Sequence, residues 1–183
     1  MLLIKENKME LLNAIYERRS IRKYAKVQIP LDHIEKMVRS AQMAPSWKNS
    51  QTARFYVAHT EKAIEEMRDC LASFNKERTE NVGAFIVTTV KKGISGYVNG
   101  EPTHLGNGFE CFDNGLSVQN LLLTATELGY GTLIMGLYKP EKIKTLFQIP
   151  DSEDVVVVIA LGKADISPDA PQRNSLDQIL TIK

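Results

Sequence analysis

The chain has 183 residues, 43% of them hydrophobic and 25% charged, which are the proportions of a folded globular protein and exclude a disordered or fibrous one. Its formal net charge is only +1, so no global field holds a polyanion, and a nucleic-acid partner is not expected. Met1-Leu2-Leu3-Ile4 is followed at once by Lys5 and Glu6, too short an apolar run for a signal-peptide core, and no stretch is long enough to span a membrane; we expect one cytoplasmic domain covering 1–183.

From Met9 to Arg19 the apolar residues Met9, Leu11, Leu12, Ile15 and Tyr16 recur at helical spacing, which puts Arg18 and Arg19 at a helix end. A second helix is predicted after Pro30, with Ile34, Met37, Val38 and Ala41 as its inner stripe and Pro45 as its stop. Arg54 to Ala58 reads as a strand. Thr60 reads as the N-cap of a charged helix running to about Phe74, and Ala84 to Val90 as a buried strand. Residues 91–108 hold five glycines, Pro102 and His104, and are expected to form a long loop acting as a lid. Leu116, Leu121, Leu122, Leu123, Ala125 and Leu128 then predict a helix apolar around most of its circumference, with Gly129 closing it. Gly131 to Leu137 is expected to be extended, Pro140 to open a short helix, and Val155 to Leu161 to form a β-branched strand. Helices and strands thus alternate. A C-terminal extension, 165–183, carries Leu176, Ile179, Leu180 and Ile182, an apolar pattern that needs a surface to pack on.

Two clusters stand outside this apolar pattern. Arg18-Arg19-Ser20-Ile21-Arg22-Lys23-Tyr24 sets four cations and a hydroxyl within seven residues at a helix end, equipment for holding a phosphate by charge-assisted hydrogen bonds. Ala44-Pro45-Ser46-Trp47-Lys48-Asn49-Ser50-Gln51 combines a turn with the amides of Asn49 and Gln51, groups suited to the polar edge of a planar ligand. Together they suggest a phosphorylated cofactor. Taken alone, the first cluster reads first as a solvated helix end, with a docking face for an acidic partner as a further alternative. Cys70 and Cys111 form no CxxC pair and are read as reduced thiols buried like small hydrophobes. His33, His59 and His104 lack metal-ligand spacing, and no metal is expected. Gly129-Tyr130-Gly131 follows a helix and has Ile134 where a dinucleotide fingerprint needs its third glycine, which rejects a Rossmann site.

Four blocks in order, Arg18 to Tyr24, Ala44 to Gln51, Glu-Leu-Gly-Tyr-Gly-Thr-Leu-Ile-Met-Gly at 127–136, and Ile149-Pro150 followed by a valine run and Leu161-Gly162, resemble the nitroreductase family over nearly the whole chain. The resemblance implies an α+β fold with a mixed, largely antiparallel central sheet flanked by helices, a C-terminal tail extending onto the partner subunit, and a homodimer with FMN at the subunit interface. The helix around 113–128 would be the dimer axis. It also implies site residues. Arg18, Arg19, Ser20 and Arg22 match the N-terminal flavin motif, with Arg18 and Ser20 suited to phosphate and ribityl and Arg22 to the pyrimidine end. Pro45, Ser46 and Asn49 match a stretch that closes over the partner's flavin. Asn75 and Arg78 resemble an amide and cation aimed at the ring's polar edge. Met135 and Gly136 match positions whose backbone N–H groups face N5 and O4, and Arg173 matches a C-terminal phosphate ligand. A second basic residue found in some relatives is here Pro171.

The implied activity is ping-pong hydride transfer from NADH or NADPH to FMN and on to nitroaromatic or quinone acceptors, with no dedicated protein acid or base because the flavin carries the chemistry. Enone reduction or dehalogenation on the same fold, and a non-enzymatic docking module, are the alternatives. Trp47 is suited equally to stacking beside the flavin and to packing at the interface, and Phe109 and Phe112 share that ambiguity.

Overall fold

A computed structural model describes residues 9–183, so the Met1 to Ile4 run lies outside the described residues. Helix α1 (Leu11–Glu17) ends at Arg18, whose backbone N–H donates to Ala14 O, and the chain then forms the two-residue strand β1 (Tyr24–Ala25). Helix α2 (Leu31–Gln42) begins directly after Pro30 and buries Ile34, Met37 and Ala41, the expected stripe, with Val38 half-buried. It stops three residues before Pro45. Strand β2 (Ala53–Ala58) leads to α3 (Glu61–Asp69), capped as expected by the Thr60 side chain, which accepts from Ala63 N–H at 3.2 Å.

The charged helix does not reach Phe74. It breaks after Asp69, and a separate α4 (Ser73–Arg78) follows. The cause is tertiary: Leu71 forms an isolated bridge with Tyr138, and the Lys139 N–H donates to Cys70 O at 2.7 Å, so the backbone at 70–72 is drawn to another segment. Strand β3 (Ala84–Lys91) is buried through Val90. Residues 92–107 are not an open loop. They fold into a hairpin, β4 (Tyr97–Val98) and β5 (Glu101–Pro102), anchored by Thr103, whose N–H and hydroxyl both reach Gly96 O at 2.8 Å.

Helix α5 (Gly108–Glu127) starts earlier than expected and, at 20 residues, spans about 30 Å. Its inward face is not uniformly apolar: Val118, Leu121, Leu122 and Ala125 are buried, and so are Glu110, Asp113, Asn114 and Ser117. Strand β6 (Gly131–Met135), helix α6 (Pro140–Phe147) and strand β7 (Glu153–Ala164) complete the expected order, and a short α7 (Leu176–Ile179) lies in an exposed tail. Cys70 is buried, but Cys111 is exposed on α5, which corrects the expectation for that thiol.

All pairings between named strands are antiparallel, and one isolated parallel bridge, Ser20 to Thr132, makes the sheet mixed. The order is β2-β3-β7, and β6 and β1 share the other edge of β7, pairing Gly131–Met135 with Val158–Gly162 and Tyr24–Ala25 with Lys163–Ala164. β7 is fully buried from Val158 to Gly162 and half-buried at Val155 to Val157, which explains its run of β-branched and apolar residues. One face carries α2 and α5 through Met37, Leu121, Ile86 and Ile159; the other carries α3 and α6 through Met67, Ile143, Phe85 and Val158.

A close approach fixes how the N-terminal motif meets the sheet. A Cβ at Gly131 would lie 2.5 Å from Ile21 Cγ1 and 2.9 Å from Ile21 Cβ, so only glycine lets Ile21 seat against β6. Gly131→Ala is expected to destabilise the fold by about 1–3 kcal/mol by overpacking and to displace the Arg18–Arg22 segment. Chemical denaturation checks this; an unchanged midpoint would show that Ile21 can move freely.

Candidate functional site

Three regions of the structure hold the residues singled out from the sequence. The first is a cationic corner. Arg18 lines a depression of about 260 Å³ with Arg19, Thr126, Gly131 and the start of the tail at Ile166 to Pro168. Arg19 is turned back on its own helix, its Nη1 donating to Tyr16 O at 2.6 Å and Arg18 O at 2.9 Å, so it closes the C-terminus of α1 where cations offset the dipole. The Arg18 side chain makes no hydrogen bond or ion pair among the described residues. Ser20 lies beside Thr132 at the start of β6, and Arg22 is exposed, its Nη1 3.3 Å from Ser20 O. Between them Ile21 is buried, and burial pushes the Tyr24 phenol up while its hydroxyl donates to Ile21 O at 2.8 Å. Ile21 and Tyr24 anchor the segment while Arg18 and Ser20 stay half-buried and Arg22 exposed beside them.

The second region is the open edge of β6. Ile21 N–H donates to Thr132 O at 2.9 Å, so Thr132 directs its backbone polar groups away from β7. Alternation along a strand then points those of Ile134 to the same open edge and those of Met135 toward Val158 of β7. The Met135 side chain is buried in the core, and Gly136 is exposed with open space where a Cβ would stand. Thr132 is taken up by Ser20 and Ile21, so the open part of the edge runs from Ile134 to Gly136, roughly 7 Å. At its far end Asn75 is buried and donates from Nδ2 to Leu137 O at 3.4 Å, while the Arg78 guanidinium sits 5.0 Å over the exposed Phe74 ring. Asn75 therefore braces the segment after Gly136. Arg173 lies apart from all of these in the exposed tail, its Nη1 bonded to Pro171 O at 3.0 Å.

The third region is the turn at 45–51. Pro45 and Asn49 are exposed, and Ser46 Oγ accepts the Gln51 N–H at 3.0 Å. Lys48, Asn49 and Gln51 all have positive φ, conformations that cost roughly 1 kcal/mol or more each and persist only where neighbours enforce them. The enforcing residue is Asp113, which the sequence reading did not single out. Buried in α5, its Oδ2 accepts from Trp47 N–H at 2.9 Å, Ser95 Oγ at 2.6 Å and Ser50 Oγ at 3.5 Å, joining the turn and the hairpin to one carboxylate. Glu110, one turn earlier, accepts Gly93 N–H at 2.6 Å. The Trp47 and Phe109 rings pack at 4.4 Å, and Phe112 lies edge-on to Phe109. A signal for these carboxylates was present: 110, 113, 114 and 117 fall at the i, i+3, i+4 and i+7 positions of the face that continues through Leu121 and Ala125.

Within one chain the first and third regions do not meet. Thr126 borders the cationic corner and Asp113 the turn, which on one straight helix puts them about 20 Å apart.

The model of the Nitroreductase family matches residues 15–93 and 81–163 of this sequence. The chain belongs to the nitroreductase family. The resemblance read from the four blocks and the α+β class it implied are both borne out. A protein of Archaeoglobus fulgidus that carries the provisional name NADH dehydrogenase/NAD(P)H nitroreductase is 32% identical over 157 residues, 84% of each chain. Among solved structures, a nitroreductase family protein of Clostridium novyi NT is 29% identical, with a TM-score of 0.75 and 89% of each chain covered. A nitroreductase-like protein of Exiguobacterium sibiricum, solved in complex with FMN, shares the fold at a TM-score of 0.83 over 96% of this chain and 98% of its own, at 22% identity. As a nitroreductase family member, the chain is assigned to the oxidoreductases. Among the described residues no helix is long and apolar enough to cross a membrane.

Proposed function

We propose that this nitroreductase family protein binds FMN along the open edge of β6 and passes hydride from NAD(P)H to a nitroaromatic, quinone or similar acceptor in ping-pong fashion, as a homodimer in the cytoplasm. The observation that carries this reading is the β6 edge itself, which has Arg18, unpartnered among the described residues, and the exposed Arg22 at one end and an open glycine at the other. An FMN-shaped group, anionic at its phosphate and planar at its ring, matches that layout. Bound there, FMN supplies the reversible two-electron hydride chemistry, and no protein acid or base is needed for it.

The protein's own work is binding and exclusion. Arg18, with Arg19 closing the helix behind it, holds the phosphate, joined by Arg173 from a tail that extends onto the partner subunit, and Ser20 holds the ribityl hydroxyls. Arg22 and Arg78 set positive charge beside the polar edge of the ring, and Asn75 holds the 136–138 segment in place. Backbone groups near Met135 and Gly136 meet the ring, with the ladder register favouring the flanking N–H groups over that of Met135. Pro45, Ser46 and Asn49 come from the other subunit, since within one chain their turn stands at the opposite end of α5. Exposed Leu11, Leu12 and Tyr16 on α1, each more than 60% accessible, and the apolar tail residues Leu176, Ile179 and Ile182 supply surface for that subunit contact.

A visible spectrum of the purified protein, followed by anaerobic addition of NADH and NADPH, tests the reading. A flavin band that bleaches is the expected result, and a colourless protein that takes up no added FMN overturns it. Arg22→Ala is expected to weaken FMN binding about tenfold and to slow reduction; equal affinity and rate in a fluorescence titration and stopped-flow trace would remove Arg22 from the site.

A further inference from the structure

Beyond the cationic corner, a second group of cations has no assigned role. Between α3, α4 and α6 lies a cleft of about 400 Å³ lined by Asp69, Leu71, Ser73, Lys76, Lys139 and Lys142. Three ammonium groups face one carboxylate there. Lys76 Nζ pairs with Asp69 Oδ1 at 2.5 Å, Lys139 Nζ lies 3.5 Å from Asp69 O, and Lys142 makes no ion pair among the described residues. The hydrogen bond from Lys76, reinforced by the fields of Lys142 and Lys139, holds the Asp69 carboxyl below the usual carboxylate range. On the adjoining surface Glu66 is engaged by Lys62 at 3.7 Å, and Glu141 stands at the start of α6. The cleft proper keeps an excess of positive charge.

Its position gives that charge a use. Leu71, in the wall of the cleft, bridges Tyr138, and Asn75 on α4 holds Leu137 O, so the cleft flanks the segment that leaves Gly136. Lys139 is three residues past Gly136, at most about 10 Å along the chain. A dinucleotide whose nicotinamide lies at Gly136 is long enough to bring its other end over this cleft. Resting on the flavin reading above, we propose that the lysine cleft between α3, α4 and α6 receives the 2′-phosphate of NADPH and makes NADPH, in preference to NADH, the hydride donor. A phosphomonoester brings close to two negative charges and three acceptor oxygens, and lysine binds it as a mobile point charge. NADH presents only a neutral hydroxyl at that position.

Steady-state kinetics with both nucleotides on the flavin-loaded protein test the proposal, comparing wild type, Lys142→Glu and Lys36→Glu. The last makes the same net-charge change on α2, on the opposite face of the sheet. Wild type is expected to favour NADPH, and Lys142→Glu to lower kcat/KM for NADPH about tenfold while leaving NADH within about twofold. Lys36→Glu should change neither. Added 2′-AMP should compete with NADPH, and 5′-AMP at the same concentration should not. Equal use of both nucleotides by wild type, an equal loss for both in Lys142→Glu, or the same loss in Lys36→Glu would each overturn it. Flavin bleaching by NADH is read in every variant, so failure of the lysine cleft is separable from failure of the flavin reading.

Discussion

Asp113→Ala is expected to lower the unfolding free energy by about 3 kcal/mol and to reduce FMN affinity at least tenfold in the same protein. The carboxylate receives the Trp47 N–H and the Ser95 and Ser50 hydroxyls in a buried position, and alanine leaves those donors without a partner and without water. The second effect follows from the backbone. With three non-glycine residues at positive φ, the 46–51 turn relaxes once its anchor is gone, and Ser46 and Asn49 lose the geometry that closes the proposed flavin site. Asp113→Asn, which keeps one acceptor oxygen, should fall between the two. Urea unfolding of the apoprotein and fluorescence titration of FMN measure the effects separately. A lowered midpoint with undiminished FMN affinity would make Asp113 a purely structural residue.

Mixing two inactive variants is expected to restore activity. If the cationic corner of one subunit and the 45–49 turn of the other build each site, then an Arg18→Ala chain and a Ser46→Ala/Asn49→Ala chain each form dead homodimers. Their heterodimer contains one site with both defects and one with neither. Random reassociation therefore recovers about a quarter of wild-type sites. If both elements served a site within the same chain, every site in the heterodimer would carry a defect and mixing would recover nothing. Either result is read from FMN retention as well as from turnover, and the separation of about 20 Å along α5 favours the first.

Much of the fold was legible because its signals are local. The stripe of α2, the Thr60 cap and the β-branched run of β7 are written in consecutive residues, and each element appears where its pattern lies. What escaped depends on contacts between distant segments. Tyr24–Ala25 is a strand only because Lys163–Ala164 lies beside it, and the break after Asp69 exists because Leu71 meets Tyr138. The glycines at 93–106 looked like an open lid, yet several supply the positive φ that a compact hairpin requires. At the site, the family blocks located the cations and the turn. They did not reveal that Arg19 is spent on its own helix end, that Asn75 is a brace, or that Asp113 holds the turn.

The arrangement of β7 also governs how the chain can fold. It is the last strand in the sequence and yet the one on which β1, β3 and β6 all depend, pairing residue 164 with residue 24 and residue 161 with residue 84. Until that strand has left the ribosome, β6 and β1 have no ladder to join and both apolar faces lack their central element. The sheet must therefore assemble late and through contacts distant in sequence, so refolding should be slow compared with a helical bundle of the same length. During that interval the edges of β3 and β6 stay open to other chains, which makes the nascent protein a predicted client of holding chaperones.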